Sequence, residues 1–97
     1  MELKKTIVTV TEVIDADTFR VRPHWQSTGK EEGDTIKING YTAPEPGQTG
    51  FQEAKNDLEY IIRGKNVELR NPVTATNGEL ICDVMVEGYD ITTLLHR

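Results

Sequence analysis

The sequence lacks paired cysteines and long apolar runs, and only 6% of its residues are aromatic. Its one cysteine, Cys82, cannot form an internal disulfide and is far short of the ligand set of a zinc site, so we expect it to be a small core residue. No apolar run approaches the roughly 18 residues that a membrane span needs, and no signal-peptide core follows the N-terminus. These absences favour a soluble, cytoplasmic protein without a membrane partner. A signal peptide removed from the chain is the alternative.

The chain also lacks an excess of positive charge. It holds 11 Lys and Arg against 16 Asp and Glu, for a net charge of −5. This balance opposes binding to a polyanion unless the basic residues collect on one face. Hydrophobic residues make up 36% and charged residues 28%, a mixture typical of a folded domain. We expect a single domain over residues 1–97, because a chain of this length has room for one core.

Three segments in the first half of the chain have the composition of β-strands. They are residues 6–14, 18–23 and 35–40, which are rich in β-branched residues or alternate apolar with polar side chains. A polar loop over residues 24–33 separates the second strand from the third. Residues 41–50 hold two prolines and two glycines, so we expect an irregular connection there.

The apolar spacing then changes to that of a helix over about residues 50–63. Thr49 and Gln52 fit a capping box at its start, and Gly64 stands where a glycine commonly ends a helix.

Two further strands are predicted at residues 66–70 and 80–86, and Asn77 and Gly78 between them form a strong turn signal. Residues 89–97 then form a short helix or a frayed tail. The order is β-β-β-α-β-β plus a short C-terminal helix. This order predicts an all-β protein with one main helix, built as a five-stranded OB-fold-type barrel.

Several residues on the second and third predicted strands, and in the loop between them, are candidates for contact with a substrate. Arg20 and Lys37 supply positive charge, although neighbouring acidic residues largely offset it. His24 and Trp25 fall in the predicted loop, where an OB fold often meets its partner. Packing of Trp25 over the barrel mouth is the alternative for that residue. His96 is expected to be solvated.

Two aspartates stand one residue apart where the first predicted strand ends, in the segment VIDADTFRV at residues 13–21. Taken alone, Asp15 and Asp17 favour an acidic turn, because aspartate accepts backbone hydrogen bonds at strand ends. A metal-binding carboxylate cluster is the alternative.

Four segments, in this order, resemble the staphylococcal-nuclease-like (thermonuclease) family. They are VIDADTF at 13–19, IKINGYTAPE at 36–45, FQEAKNDLEYIIRGKNVEL at 51–69 and NGELICDVMVEGYDI at 77–91. Together they cover almost the whole chain. The resemblance implies an OB-type barrel and a site related to that of a calcium-dependent nuclease.

The metal side of that site is incomplete in this sequence. In the family, two aspartates and a backbone carbonyl bind Ca²⁺, and the resemblance assigns these positions to Asp17, Thr42 and Ala43. Thr42 stands where the second aspartate is expected. Because calcium affinity follows the number of carboxylate ligands, the resemblance implies at most a weak calcium site and no other cofactor.

The catalytic side is altered as well. Glu45 matches the glutamate that orients the attacking water, and a carboxylate is competent for that role. The two phosphate-binding arginines correspond to Lys37, which keeps the charge without the planar fork, and to Glu79, which reverses the charge. Loss of one preorganised group of this kind typically lowers a rate by about 10² to 10³. We expect Lys37 and Glu79, if they converge, to form an ion pair, with Asp17 as a second possible partner of Lys37.

These changes leave two functions open. The first is a degenerate, catalytically silent or greatly weakened domain that binds a protein or a single-stranded nucleic acid. The alternative is an active calcium-dependent nuclease in which Glu79 has become a metal ligand. The resemblance also implies further helices after the fifth strand, which pack against the barrel. A third possibility is therefore that the sequence is a fragment of a longer protein. Without those helices apolar surface would be left uncovered, and a homodimer through the C-terminal segment, with Ile91, Leu94 and Leu95, is a further expectation.

Overall fold

The computed structural model describes residues 2–95, which form six strands and two helices. The strands are β1 (Ile7–Asp15), β2 (Thr18–Gln26), β3 (Glu32–Ile38), β4 (Asn66–Thr76), β5 (Glu79–Val86) and β6 (Tyr89–Asp90), and the helices are α1 (Phe51–Ile62) and α2 (Ile91–Leu95). The predicted order is confirmed, with β6 as a short addition that pairs with β5. His96, for which solvation was predicted, lies outside the described residues. No helix in the described range is long and apolar enough to cross a membrane.

The strands close into the predicted five-stranded barrel. β1 pairs antiparallel with β2 and β4, and further antiparallel pairs join β2 to β3 and β4 to β5. A parallel pair between β3 and β5 completes the closure, with Thr35 opposite Glu79 and Lys37 opposite Ile81. The parallel pair matters for the site, because it brings the side chains of Lys37 and Glu79 onto neighbouring strands.

One hydrophobic core fills the barrel and extends under the helices. Its largest fully buried side chains come from all five barrel strands and from both helices: Trp25, Phe19, Ile36, Leu58, Ile62, Leu69, Leu80, Ile91, Val8, Val10, Val67 and Val84. α1 contributes Leu58 and Ile62, which are one helical turn apart and therefore share the face that points to the core. Cys82 belongs to this core, as predicted.

The ends of α1 agree only in part with the sequence pattern. The capping-box prediction is wrong: the residue before the helix is Gly50, with φ of 87°, and no side chain caps the first turn. The amide of Ala54 donates to the carbonyl of Gly50 at 2.9 Å. Gly64 has φ of 76°, as expected of a glycine that ends a helix. Its amide donates to the carbonyl of Val10 at 3.1 Å, which ties the end of α1 to β1.

β2 and β3 are longer than the sequence suggested, and the loop between them shrinks to residues 27–31. Trp25 lies in β2 opposite Gly33 of β3. Its indole nitrogen donates to the carbonyls of Thr35 at 3.1 Å and Gly78 at 3.2 Å. A Cβ atom at Gly33 would collide with the backbone of Gly78. The Trp25 clamp, formed by these four residues, therefore joins β2 and β3 to the β4–β5 turn.

The β4–β5 hairpin is also longer than predicted, because β4 continues past residue 70 through a break in register between Arg70 and Thr74. The predicted turn is confirmed, since Asn77 and Gly78 have φ of 54° and 81°.

Candidate functional site: an acidic pocket at the barrel rim

A cavity of about 280 Å³ opens at the rim of the barrel, and we call it the rim pocket. It lies where the β1–β2 turn, β3, the segment after β3 and the start of β5 meet. Its lining residues are Asp15, Asp17, Thr18, Lys37, Ala43, Pro44, Glu45, Pro46 and Glu79. The structure thus brings together five of the residues for which the sequence predicted a site role: Asp17, Lys37, Ala43, Glu45 and Glu79.

Backbone hydrogen bonds hold the elements around the rim pocket in place. The amide of Ile38 donates to the carbonyl of Asp17 at 2.9 Å, which fixes the β1–β2 turn against β3. The amide of Glu45 donates to the side-chain oxygen of Gln48 at 2.7 Å, and the amide of Gln48 donates to the carbonyl of Glu45 at 2.9 Å. These bonds order a backbone without strand or helix between Ile38 and Gly50.

The rim pocket is strongly acidic. Four carboxylates and one ammonium line it, which gives a formal charge of −3 for Asp15, Asp17, Glu45, Glu79 and Lys37 together. Lys37 and Glu45 are exposed, and the three other acidic residues are half-buried. No arginine lines the pocket. The arrangement therefore attracts a cation and repels an anion of similar size.

The predicted ion pair is not formed. Lys37 and Glu79 line the same pocket, but among residues 2–95 no charged pair within 4.0 Å joins Lys37 to Glu79 or to Asp17. Asp17 instead accepts a hydrogen bond from the hydroxyl of Thr18 at 2.9 Å. The charges of the rim pocket consequently do not cancel through direct contacts within it.

Two of the predicted site residues lie elsewhere on the surface. Thr42 lines a separate cavity with Thr92 and Thr93 of α2 rather than the rim pocket. Arg20 is exposed on β2, where its guanidinium contacts the carboxylate of Glu12 at 3.2 Å. Neither side chain adds a donor or a positive charge to the rim pocket.

The prediction that Trp25 contacts a substrate is corrected by its burial. Trp25 is 1% exposed, and its indole nitrogen is engaged by two backbone carbonyls, so no face of the ring is open to a ligand. The alternative is confirmed in so far as Trp25 packs, because it belongs to the hydrophobic core. His24, its neighbour in β2, is exposed.

The sequence pointed less clearly to two residues that line the rim pocket. Thr18 was not singled out, although it follows Asp17 directly and its hydroxyl orients that carboxylate. Asp15 was considered mainly as a turn residue, and it also faces the pocket. The signal in the sequence was that both residues lie within two positions of Asp17.

The donor chemistry of the rim pocket suits a hard cation, since carboxylate oxygens are the ligands that Ca²⁺ prefers. The geometry does not fit one: among the described residues, no three acidic, histidine or cysteine side chains are grouped so that they could hold a metal ion. Thr42, assigned by the resemblance to the metal site, faces another cavity.

A second surface continues from the rim pocket along α1, and we call it the helix groove. It consists of two adjoining cavities of about 310 and 300 Å³. The first is lined by Tyr41, Pro44, Gly50, Glu53, Ala54, Asp57 and Leu95, and the second by Asp57, Tyr60, Ile61, Leu94 and Leu95. Pro44 also lines the rim pocket, so the two surfaces adjoin at that residue.

The C-terminal apolar residues differ in exposure. Ile91 and Leu95 are buried against the core, and Leu94 is 42% exposed. A homodimer through this segment, which stays a prediction, therefore has Leu94 as its main apolar contact from α2.

No protein-family model matches the chain, and no curated protein matches it significantly. The resemblance to the nuclease-like family therefore remains a prediction from the four sequence segments, whereas the barrel itself is observed.

Proposed function

We propose that this chain is a nuclease-like barrel that has lost efficient phosphodiester hydrolysis and acts as a binding module. The observation that supports this proposal is the charge of the rim pocket. Four carboxylates and a single ammonium line the place that the resemblance assigns to the phosphate. Two like charges 4 Å apart repel each other by about 1 kcal/mol in water and about 4 kcal/mol near a protein surface. A phosphodiester would meet several such charges.

The chemistry of hydrolysis explains why this charge matters. Negative charge builds on the phosphoryl oxygens as water attacks, and preorganised cations are the main means of stabilising it. Lys37 is the one cation that lines the pocket, and it is exposed to water. Glu45 retains a carboxylate that is able to orient a water molecule. With Glu45 as a base but no preorganised cation to stabilise the charge on the phosphoryl oxygens, we expect weak hydrolytic activity at best.

The alternative function is a calcium-dependent nuclease in which Glu79 serves as a rebuilt metal ligand. One observation favours it: Asp17, Glu45 and Glu79 line a single pocket. Against it stands the absence, within residues 2–95, of three grouped side chains suited to a metal ion.

A cleavage assay separates the two functions. The purified chain is incubated with single-stranded DNA and RNA in millimolar Ca²⁺, beside the Glu45→Gln variant and a sample with EDTA. We expect no cleavage above the level of the variant. Cleavage that both EDTA and Glu45→Gln abolish would establish the nuclease and overturn our proposal.

Charge also favours a protein over a nucleic acid as the partner. The chain carries a net charge of −5, and the rim pocket is acidic, whereas binding of nucleic acid depends on positive charge that neutralises phosphates. We expect no association with single-stranded DNA at physiological salt in a fluorescence anisotropy titration. Saturable binding that weakens steeply with salt would instead make nucleic acid the partner.

A further inference from the structure

We infer that the rim pocket and the helix groove form one docking surface for an extended segment of a partner protein. In this arrangement a basic side chain of the partner enters the rim pocket, and apolar side chains follow the helix groove. The inference rests on the proposed function, because it names the class of partner that the binding module takes.

The first argument is that the two surfaces adjoin. Pro44 lines both the rim pocket and the nearer cavity of the helix groove, and Leu95 lines both cavities of the groove. The groove is lined mainly by apolar side chains, together with the acidic residues Glu53 and Asp57. A single segment of a few residues is therefore long enough to contact both surfaces.

The second argument is the apolar residues at the far end of the groove. Tyr60 of α1 is 90% exposed and Leu94 of α2 is 42% exposed, and the two line the same cavity. Single exposed apolar residues are common on soluble proteins. Tyr60 is suited to anchor a partner, because tyrosine is enriched among the residues that carry most of the binding energy at interfaces, and Leu94 adds apolar area beside it.

The third argument is charge complementarity, which selects the occupant. A guanidinium or ammonium group in the rim pocket would contact carboxylates whose formal total with Lys37 is −3, and hydrogen bonds between charged groups are the strong ones. The predicted homodimer would use Leu94 of the same groove, and the net charge of −5 on each copy opposes that occupant. A nucleic acid is disfavoured for the same reason.

The length of the helix groove sets the length of the bound segment. The groove follows α1 from Gly50 to Ile61, which at 1.5 Å per residue is about 16 Å. An extended chain covers about 3.3 Å per residue, so about five residues span the groove. The expected motif is one Arg or Lys separated by no more than about six residues from an aromatic or large aliphatic residue.

Selection from a library of short random peptides displayed on phage tests this inference with the full chain. We expect the selected peptides to share that motif. Their affinity is then measured by fluorescence polarisation with a synthetic peptide of the selected sequence. Selection of peptides without a basic residue, or no selection above background, would overturn the inference.

Variants with matched controls show where such a peptide binds. Glu79→Lys should weaken binding at least about tenfold, and Tyr60→Ser about fivefold. Glu31→Lys, in the exposed loop after β2, makes the same charge change away from the surface, and Val73→Ser removes an exposed apolar residue on β4. Both controls should bind as the parent chain does. Equal effects of the variants and their controls, at unchanged circular dichroism, would contradict the inference.

Two other results would also overturn the inference. One is sedimentation that shows a dimer which Tyr60→Ser dissociates, because the groove would then be occupied by a second copy. The other is single-stranded DNA that competes for the peptide site. The proposed loss of hydrolysis is judged separately by the cleavage assay, so a silent chain that binds no peptide refutes the docking surface alone.

Discussion

The rim pocket and the Trp25 clamp adjoin at the start of β5, where Gly78 precedes Glu79 and Thr35 pairs with Glu79, yet they use their polar groups in opposite ways. In the clamp, a buried indole donates to two backbone carbonyls. In the rim pocket, four carboxylates and an ammonium line one cavity, and no ion pair within it joins Lys37 to Glu79 or Asp17. A buried polar group must be paired to be tolerated, whereas solvated charges need no partner. The clamp therefore serves stability, whereas the rim pocket is left with a net negative charge.

The largest expected effect is the loss of the clamp. Trp25→Ala removes a fully buried aromatic side chain together with its hydrogen bonds, and such changes typically cost about 3 to 5 kcal/mol in the free energy of unfolding. Urea denaturation followed by far-UV circular dichroism measures the change, since Trp25 is the only tryptophan. Trp25→Phe should cost less. A loss below about 1 kcal/mol for Trp25→Ala would show that the clamp does not hold the barrel together.

The next effect tests the close approach of two backbones in the clamp. Gly33→Ala places a methyl group against the backbone of Gly78, and overpacking of this kind typically costs about 1 to 3 kcal/mol. Gly29→Ala is the matched control, because a Cβ there meets only an ordinary contact with the side chain of Ser27. The same denaturation experiment compares the two variants. Equal stabilities would mean that the turn at Gly78 shifts freely.

A third prediction concerns the buried thiol. Burial in the core, with a smaller effect from Asp83, raises the pKa of Cys82 from 9.0 to about 12. At pH 9 only about one native chain in a thousand then carries Cys82 as the thiolate. A thiol reagent should therefore label the native chain slowly and the urea-unfolded chain rapidly. Rapid labelling of the native chain would contradict the observed burial.

The raised pKa of Cys82 also gives a stability change with a definite sign. Its contribution to stability is fully present below pH 9 and decreases as the pH rises towards 12, because the unfolded chain releases the proton first. Lysine and tyrosine residues titrate in the same range, so the comparison is with Cys82→Ala. The alanine variant should be less stable at pH 7 and should lose less stability over this range. Equal losses of stability in the parent chain and in Cys82→Ala would argue against the raised pKa of Cys82.

The smallest expected effect on stability is at the rim pocket. The double variant Lys37→Arg, Glu79→Arg changes side chains at the surface, and such changes usually alter the free energy of unfolding by no more than about 0.5 kcal/mol. Denaturation should give the same midpoint as the parent chain. A decrease of more than about 1 kcal/mol in the free energy of unfolding would mean that the charges of the rim pocket also stabilise the barrel. The rim pocket would then not differ from the Trp25 clamp in this respect.

Local patterns predicted much of the fold. The helical spacing gave α1 to within one residue at each end, and the pair Asn77 and Gly78 located the β4–β5 turn, because both signals depend on neighbouring residues. The site was predicted differently: the resemblance to the nuclease-like family, and no local pattern, assigned a common site to Asp17, Lys37, Ala43, Glu45 and Glu79, which line the rim pocket.

The predictions from the sequence failed where contacts between residues far apart in the chain determine the structure. Trp25 was assigned to a loop because its flanking residues are polar, yet it lies in β2 and bonds to the carbonyl of Gly78, far along the chain. Thr42 was placed in the site by its position in the motif, but it lines a different cavity, together with Thr92 and Thr93 of α2. Neither outcome could be read from nearby residues.

Whether the rim pocket binds a phosphate can be tested by a nuclear magnetic resonance titration of the ¹⁵N-labelled chain with a nucleoside bisphosphate in millimolar Ca²⁺. We expect no saturable shift of the amides of Asp17, Lys37, Glu45 and Glu79, because the acidic rim pocket repels the phosphates. Saturable shifts confined to these amides would contradict this expectation and would identify the rim pocket as a working phosphate site.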